Sequence, residues 1–268
     1  MFASLAAVIA LAAPAPEAPL PTTPTGFATA LTEAHDAVAA EVDAWREEGD
    51  PAQGGAPETL QREALWQQRL YRHLGRHPKT AKRTIARLPA RLRTDARLTT
   101  KALHSLFTLS SQTRITTRSN LRVGRAQPAD RLMGHYRAAQ RRFEVGWHIL
   151  AAVNLVETGF NRLRNNSVAG AQGPMQFIPS TWRAYGMGGN VRDPRDAIMG
   201  AANYLRASGA PGDYRRALYA YNPSDLYVSG VLNHARRIAR DPRAFYSYYA
   251  WQIFVRTPNG ERRLTGPR

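Results

Sequence analysis

The chain has 268 residues, with 37 Lys and Arg against 20 Asp and Glu and a formal net charge of +17. That length allows one or two domains with a sizeable core, and 43% hydrophobic residues argue against disorder throughout. There is no cysteine, which excludes disulfides, zinc–thiolate sites and thiol nucleophiles.

Residues 1–26 read as a signal-like segment and a linker. The apolar run Phe2 to Ala13 is too short for a membrane span, which needs about 20 residues, but has the length of a signal-peptide core. No Lys or Arg precedes it. Export is the expectation, and with it an extracytoplasmic location, secreted or wall-associated. Pro14 to Thr25 is a Pro/Thr-rich extended stretch.

Residues 27–126 form a basic helical region. Phe27, Leu31, Val38, Val42 and Trp45 share a helical stripe up to Glu48. A break follows over Gly49–Pro57, and a second helix is predicted over Thr59–Gly75. Thr80–Ser111 reads as two or three basic helices with Pro89 as a boundary. Arg114–Pro128 reads as a connection. From Arg62 to Arg142 there are 20 Lys and Arg against 3 Asp and Glu, a block that matches the net charge of the whole chain. Such a face attracts polyanions, among them nucleic acid, anionic lipid and acidic wall polymer. The plainer reading is a solvated Arg-rich surface. Anionic wall polymer is the candidate partner beside that plainer reading, and no specific nucleic acid is expected.

Residues 127–252 continue as capped helices: Ala129–Phe143, Val145–Thr158, Pro179–Tyr185, one opened by Asp193 and Pro194, one capped by Asp213, and one from Ser224 to Arg240. No period-2 strand pattern stands out, so the fold class is mainly α. Phe245 to Val255 is dense in aromatics and reads as a strap packed on the core, with an exposed sugar-stacking patch as the alternative. Residues 253–268 read as a basic tail, flexible after Arg256.

The chain is organised around Trp147 to Gln176. Ile149, Val153, Val156, Glu157 and Phe160 recur on one helix face. Glu157 is the one carboxylate among apolar positions. Gly159 weakens the helix just beyond it, and Asn165–Gly173 reads as a loop. Burial raises a carboxyl's pKa and fits it for general acid chemistry. The plainer reading pairs Glu157 with Arg162 or Arg164. No H-E-x-x-H, G-x-S-x-G or P-loop occurs.

Four motifs carry a resemblance: V-E157-T-G-F160, S167-x-A-G170-A-x-G173-P-M175-Q176-F, D193-P-x-D196-A-I198 and A220-Y221-N222. Together they resemble soluble lytic transglycosylases of the goose-type lysozyme superfamily, and most resemble the membrane-bound lytic transglycosylase B-like branch in its actinobacterial form. The likeness covers about residues 127–251. It implies a lysozyme-like domain that cleaves the MurNAc-β-1,4-GlcNAc bond of peptidoglycan glycan strands, with Glu157 as the single general acid and base and a 1,6-anhydro product. By motif position it implies that Gln176, Ser167 and Asn222 contact sugar, that Met175 lines the cleft floor, and that Tyr221 holds and polarises Glu157. No cofactor is implied.

Two departures from the family pattern stand out. Thr158 replaces the Ser that often follows the catalytic Glu. The segment GMGGNVRDP offers only Asn190 and Asp193 as calcium ligands, where calcium needs about six oxygens, so no metal is expected. Asp193 and Asp196 fit helix capping. Two alternatives remain: a muramidase that hydrolyses the same bond, using Asp193 or Asp196, and a non-catalytic polyanion or wall binder.

Overall fold

The computed structural model describes residues 13–112, 121–258 and 260–267. Apart from Ala13, the run read as an export signal lies outside the described residues, as do positions 114–120 of the connection. The fold is mainly helical, as expected. In chain order it comprises α1 (Pro24–Glu47), α2 (Glu58–Arg76), α3 (Pro78–Arg87), α4 (Ala90–Gln112), α5 (Ala129–Phe143), α6 (Trp147–Thr158), α7 (Pro179–Tyr185), α8 (Pro194–Ala207), α9 (Tyr214–Tyr221), α10 (Asp225–Arg240), α11 (Arg243–Ala250), β1 (Phe254–Thr257) and β2 (Gly260–Arg263). Among the described residues no helix is long and apolar enough to cross a membrane.

Local chemistry sets the helix boundaries. At α8, Pro194 occupies the first turn and Asp193 Oδ1 accepts the Asp196 N–H at 3.0 Å. Asp213 Oδ1 caps α9 through the Arg216 N–H at 3.0 Å, and Ser224 opens α10. Each side-chain oxygen satisfies a donor the helix leaves unpaired. Leu88 is extended (φ −67, ψ 151) before Pro89, which separates α3 from α4.

One hydrophobic cluster runs through the molecule, from Phe27 and Val42 of α1 to Phe245 and Tyr249 of α11. The composition boundary at 126/127 therefore does not separate two cores. α4 lies against α10: Ser105 Oγ donates to Ser229 Oγ at 3.0 Å, Arg240 Nε donates to Asp95 at 3.1 Å, and a Cβ at Gly230 would stand 2.7 Å from Leu106. α11 joins the two halves. Trp45 of α1 meets Tyr246 and Tyr249, each at 5.9 Å between ring centroids, and Phe160 meets Phe245 at 5.5 Å.

The C-terminal segment differs from expectation. Residues 243–250 form a helix, not a strap. Phe245, Tyr248, Tyr249 and Trp251 are buried, so the segment packs on the core as expected and is not an exposed sugar-stacking patch. Beyond it the chain forms an antiparallel hairpin, Phe254 opposite Arg263 and Thr257 opposite Gly260. What holds it down is side-chain chemistry that alternation does not report. Glu261 is gripped by Arg72 and Arg76 of α2, and Leu264 N–H donates to Ile253 O at 2.8 Å.

Because α10 and α11 bury their apolar faces against α1, α2 and α4, a fragment of residues 127–252 would expose that surface to water. Such a fragment is expected to show no cooperative thermal transition by near-UV circular dichroism, whereas the full chain shows one. A fragment melting cooperatively near the full chain's midpoint would contradict the shared core.

Candidate active site

The site begins at the end of α6. Its interior residues Ile149, Leu150, Ala151, Ala152 and Val153 are buried, which fixes the helix's rotation and aims its last turn. Gly159 ends it in the left-handed region (φ 57), and Phe160 (φ 62) and Asn161 (φ 63) follow in the same region. A Cβ at Gly159 would stand 2.3 Å from Ile253 Cδ1, so both conformation and space call for glycine.

The same helix end holds the glycine loop. Thr158 Oγ1 donates to Pro174 O at 2.7 Å and accepts the Asn161 N–H at 2.9 Å. Asn154 Nδ2 also donates to Pro174 O at 2.9 Å, while Tyr136 donates to Asn154 Oδ1 at 2.6 Å. The hydroxyl that Thr158 shares with the usual Ser is thus fully used. The loop closes as a tight turn, with Gln172 and Phe177 exchanging both backbone hydrogen bonds and Gly173 at φ 73. A Cβ on Gly173 would fall 1.8 Å from Val191 O, which no side chain tolerates.

Glu157 sits on the last turn of α6, partly enclosed. Its Oε1 accepts a 2.7 Å hydrogen bond from Tyr227 of α10. Burial pushes the carboxyl up to about 7, and the Tyr227 hydrogen bond pulls the other way. Burial also holds the hydroxyls of Tyr221 and Tyr227 well above the usual tyrosine range, reinforced by the Glu157 charge; both remain neutral. Among the described residues the carboxyl is not paired with arginine. Arg162 donates instead to Gly159 O and Tyr249 O, and Arg164 to Arg125 O.

Glu157 lines a cavity of about 790 Å³. One wall is α6 from Leu155 to Gly159. Further lining residues come from outside the motif region: Leu106, Phe107 and Ser110 of α4 and the β1–β2 hairpin. His234, Tyr248 and Trp251 also line it. His234 Nδ1 and Trp251 Nε1 are buried, and neither has a hydrogen-bond partner among the described residues.

The structure redistributes the roles of the residues predicted by motif. Tyr221 does not hold Glu157: its hydroxyl donates to Met175 O at 2.6 Å, and the phenol on the acid is Tyr227's. The two rings stack, 6.5 Å apart and 2° from parallel, so Tyr221 stands behind the one that does the holding. Met175 does not line the cleft floor. It is fully buried beneath the turn, and only its carbonyl is engaged. Ser167 Oγ accepts the Ala171 N–H at 2.9 Å and shapes the loop. Gln176 is left-handed (φ 50), and its Nε2 donates to Gly173 O at 3.0 Å. Asn222 ends α9, half-buried. None of these five lines the Glu157 cavity. Asp193 caps α8, and Asp196 Oδ2 accepts the Asn190 N–H at 2.9 Å.

Residues that sequence reasoning passed over include Tyr227, Phe107 and the hairpin. A signal for Tyr227 was present: it lies three residues after the Ser224 cap, on the face of α10 that also carries Val231 and His234.

Residues 135–240 match the family model described as Transglycosylase SLT domain. Neither the curated proteins nor the solved structures yield a match. Over residues 135–240 the chain is therefore similar to a transglycosylase domain of the lysozyme-like superfamily, and Glu157, Pro174, Tyr221 and Tyr227 all lie inside the matched span. An SLT domain points to peptidoglycan as substrate and to lytic transglycosylase activity.

A carboxyl whose pKa is higher in the folded than in the unfolded chain takes up a proton on folding. Its native-state penalty is absent below the ordinary value of 4.5, grows as pH rises, and levels off above about 7. Glu157→Gln keeps an acceptor for Tyr227 and removes the charge. The variant is expected to be more stable than the parent by roughly 2–3 kcal/mol at pH 8 and nearly equal at pH 4. Urea denaturation at the two pH values checks this; an equal difference at both would contradict a raised Glu157 pKa.

Proposed function

We propose that this protein is an exported peptidoglycan lytic transglycosylase that cleaves the MurNAc-β-1,4-GlcNAc bond and leaves a 1,6-anhydromuramoyl end. The observation that carries the reading is the Glu157 carboxyl, lifted to about 7 by burial and held by Tyr227 at the wall of a cavity large enough for sugar. Near neutral pH a substantial fraction of that carboxyl is protonated, as a general acid requires.

The chemistry follows from one group acting twice. Glu157 gives its proton to the glycosidic oxygen, and the bond from that oxygen to C1 of the muramoyl residue breaks. The N-acetyl group of the same residue supports the positive charge at C1. Glu157, now a carboxylate stabilised by the Tyr227 hydroxyl, takes the proton of the C6 hydroxyl as that oxygen bonds to C1. The 1,6-anhydro ring forms, the acid is restored, and no water is consumed.

A hydrolase would need a second, free carboxylate to activate water. Among the described residues, the other acid lining the cavity is Glu261, which Arg72 and Arg76 hold in an ion pair. Asp193 and Asp196 are committed to capping α8 and its lead-in. These observations favour the transglycosylase over a muramidase. The G-P-M-Q-F turn and the D-P-x-D-A-I helix start are the basis for assigning it to the membrane-bound lytic transglycosylase B-like branch, and the Phe2–Ala13 run is the basis for export.

Mass spectrometry of digested peptidoglycan tests the reaction. Products lighter by one water than reducing-end muropeptides are expected, and reducing ends would replace this reading with a hydrolase. Glu157→Gln should lose at least ~10²-fold in kcat; retained activity would remove Glu157 from the mechanism.

Tyr227→Phe deletes a hydrogen bond that favours the ionised acid. Turnover should fall, and the alkaline limb of the pH–rate profile should move upward. A fall in rate with an unmoved limb would reduce Tyr227 to a packing role.

A further inference from the structure

Next to the Glu157 cavity lies a second hollow of about 520 Å³, and Leu163 lines both. Three arginines, Arg122, Arg164 and Arg192, are among its seven lining residues, and no acid is. Three separate pieces of chain bring them together. Val123 and Leu163 form an antiparallel bridge, with the Arg164 N–H donating to Arg122 O at 2.9 Å and the Gly124 N–H to Arg162 O at 2.8 Å. The Arg122 N–H donates to Asn165 Oδ1 at 2.7 Å. On the other side the Gly173 turn abuts Val191 and Arg192, so closely that a Cβ would strike the Val191 carbonyl. The backbone of Arg192 is itself fixed by the Asn190 side chain at 2.9 Å.

Among the described residues none of the three makes an ion pair with a carboxylate. Arg164 gives one hydrogen bond to Arg125 O. Elsewhere Arg72, Arg76, Arg237 and Arg243 all sit on Asp or Glu. Like charges ringed around a hollow repel one another until an anion enters. A carboxylate is the anion a planar guanidinium fork fits best, because it takes two parallel hydrogen bonds.

A glycan strand laid across Glu157 carries such anions at fixed intervals. Each muramoyl residue bears a lactyl-linked peptide stem, and the stem ends in carboxylates that project away from the sugars. We propose that the Arg122–Arg164–Arg192 hollow is a subsite for a peptide-stem carboxylate, on the muramoyl residue beside the bond that is cut. The inference rests on the lytic transglycosylase reading and adds to it a preference for stem-bearing over bare glycan.

The test uses Arg122→Gln combined with Arg192→Gln. Both side chains are exposed, and Arg164, which braces the Arg125 carbonyl, stays intact. The readout is the ratio of kcat/KM on stem-bearing glycan strands to that on strands stripped of stems by an amidase. The parent should prefer stem-bearing strands, and the double variant should lose about 10-fold of that preference, as expected when a charged hydrogen-bonding group loses its partner. An unchanged ratio overturns the subsite. Titration of an isolated stem peptide into the Glu157→Gln protein, followed by calorimetry, separates this from the parent reading. Heat from the free acid and none from its carboxyl-amidated form supports the subsite even if no glycan is cleaved. Equal heats from the two forms overturn it even if cleavage is robust.

Discussion

A carboxyl withdrawn from water needs a partner that does not cancel its acidity, and here that partner is a phenol on another helix. An arginine beside Glu157 would have held it ionised; Tyr227 holds it while leaving the proton in play. This one contact spans α6 and α10, so the site is only as firm as the packing between them. α10 in turn is set by α4, which Gly230 admits to close range and which the Ser105–Ser229 and Arg240–Asp95 bonds keep in register. The N-terminal helices thus reach Glu157 in two ways: they brace the helix that carries Tyr227, and through Leu106 and Phe107 they wall the cavity.

What could be read from the chain was what local chemistry decides. Asp193 and Pro194, Asp213, Ser224 and Pro89 mark helix ends because each acts on backbone groups a few residues away. Glu157 was legible because an acid in an apolar stripe is costly unless it has work or a partner. Tyr221 and Tyr227 could not be ranked that way. The two flank the same turn and both are aromatic; which hydroxyl meets the acid and which meets Met175 O depends on how α9 and α10 cross α6. Met175 shows the same limit. A residue in a motif can be retained for its carbonyl and its bulk under a turn, and spacing does not tell that from a side chain facing sugar.

The hairpin escaped for a related reason. Its strands are four residues each, too short for an alternation to mark them, and the interactions that order them come from α2, far back in the chain. Arg72 and Arg76 grip Glu261, and their planar groups lie over Phe254 and Phe107. Some of the positive charge that looked like a surface for polyanions is therefore structural. Arg72 and Arg76 tie down the hairpin, and Arg91 pairs with Asp36. Arg162, beyond the basic block, packs over Tyr249 while donating to two carbonyls.

The run of left-handed residues after α6 explains why the acid stands where it does. Glycine enters that region freely, but Phe160 and Asn161 do so at a cost of order 1–3 kcal/mol each, and the surroundings must offset it. Phe160 is fully buried against Phe245 and Tyr249, and the Asn161 N–H is taken by Thr158 Oγ1. The sharp reversal this permits ends the helix at Thr158, so the chain turns back to pair with residues 122–124. A helix continued by another turn would carry Phe160 and Leu163 past the Glu157 cavity and separate it from the arginine-lined hollow. The strain at 160 and 161 thus belongs to the geometry that puts the acid at a helix end, open on one side to a large cavity and adjoined on the other by a smaller basic one.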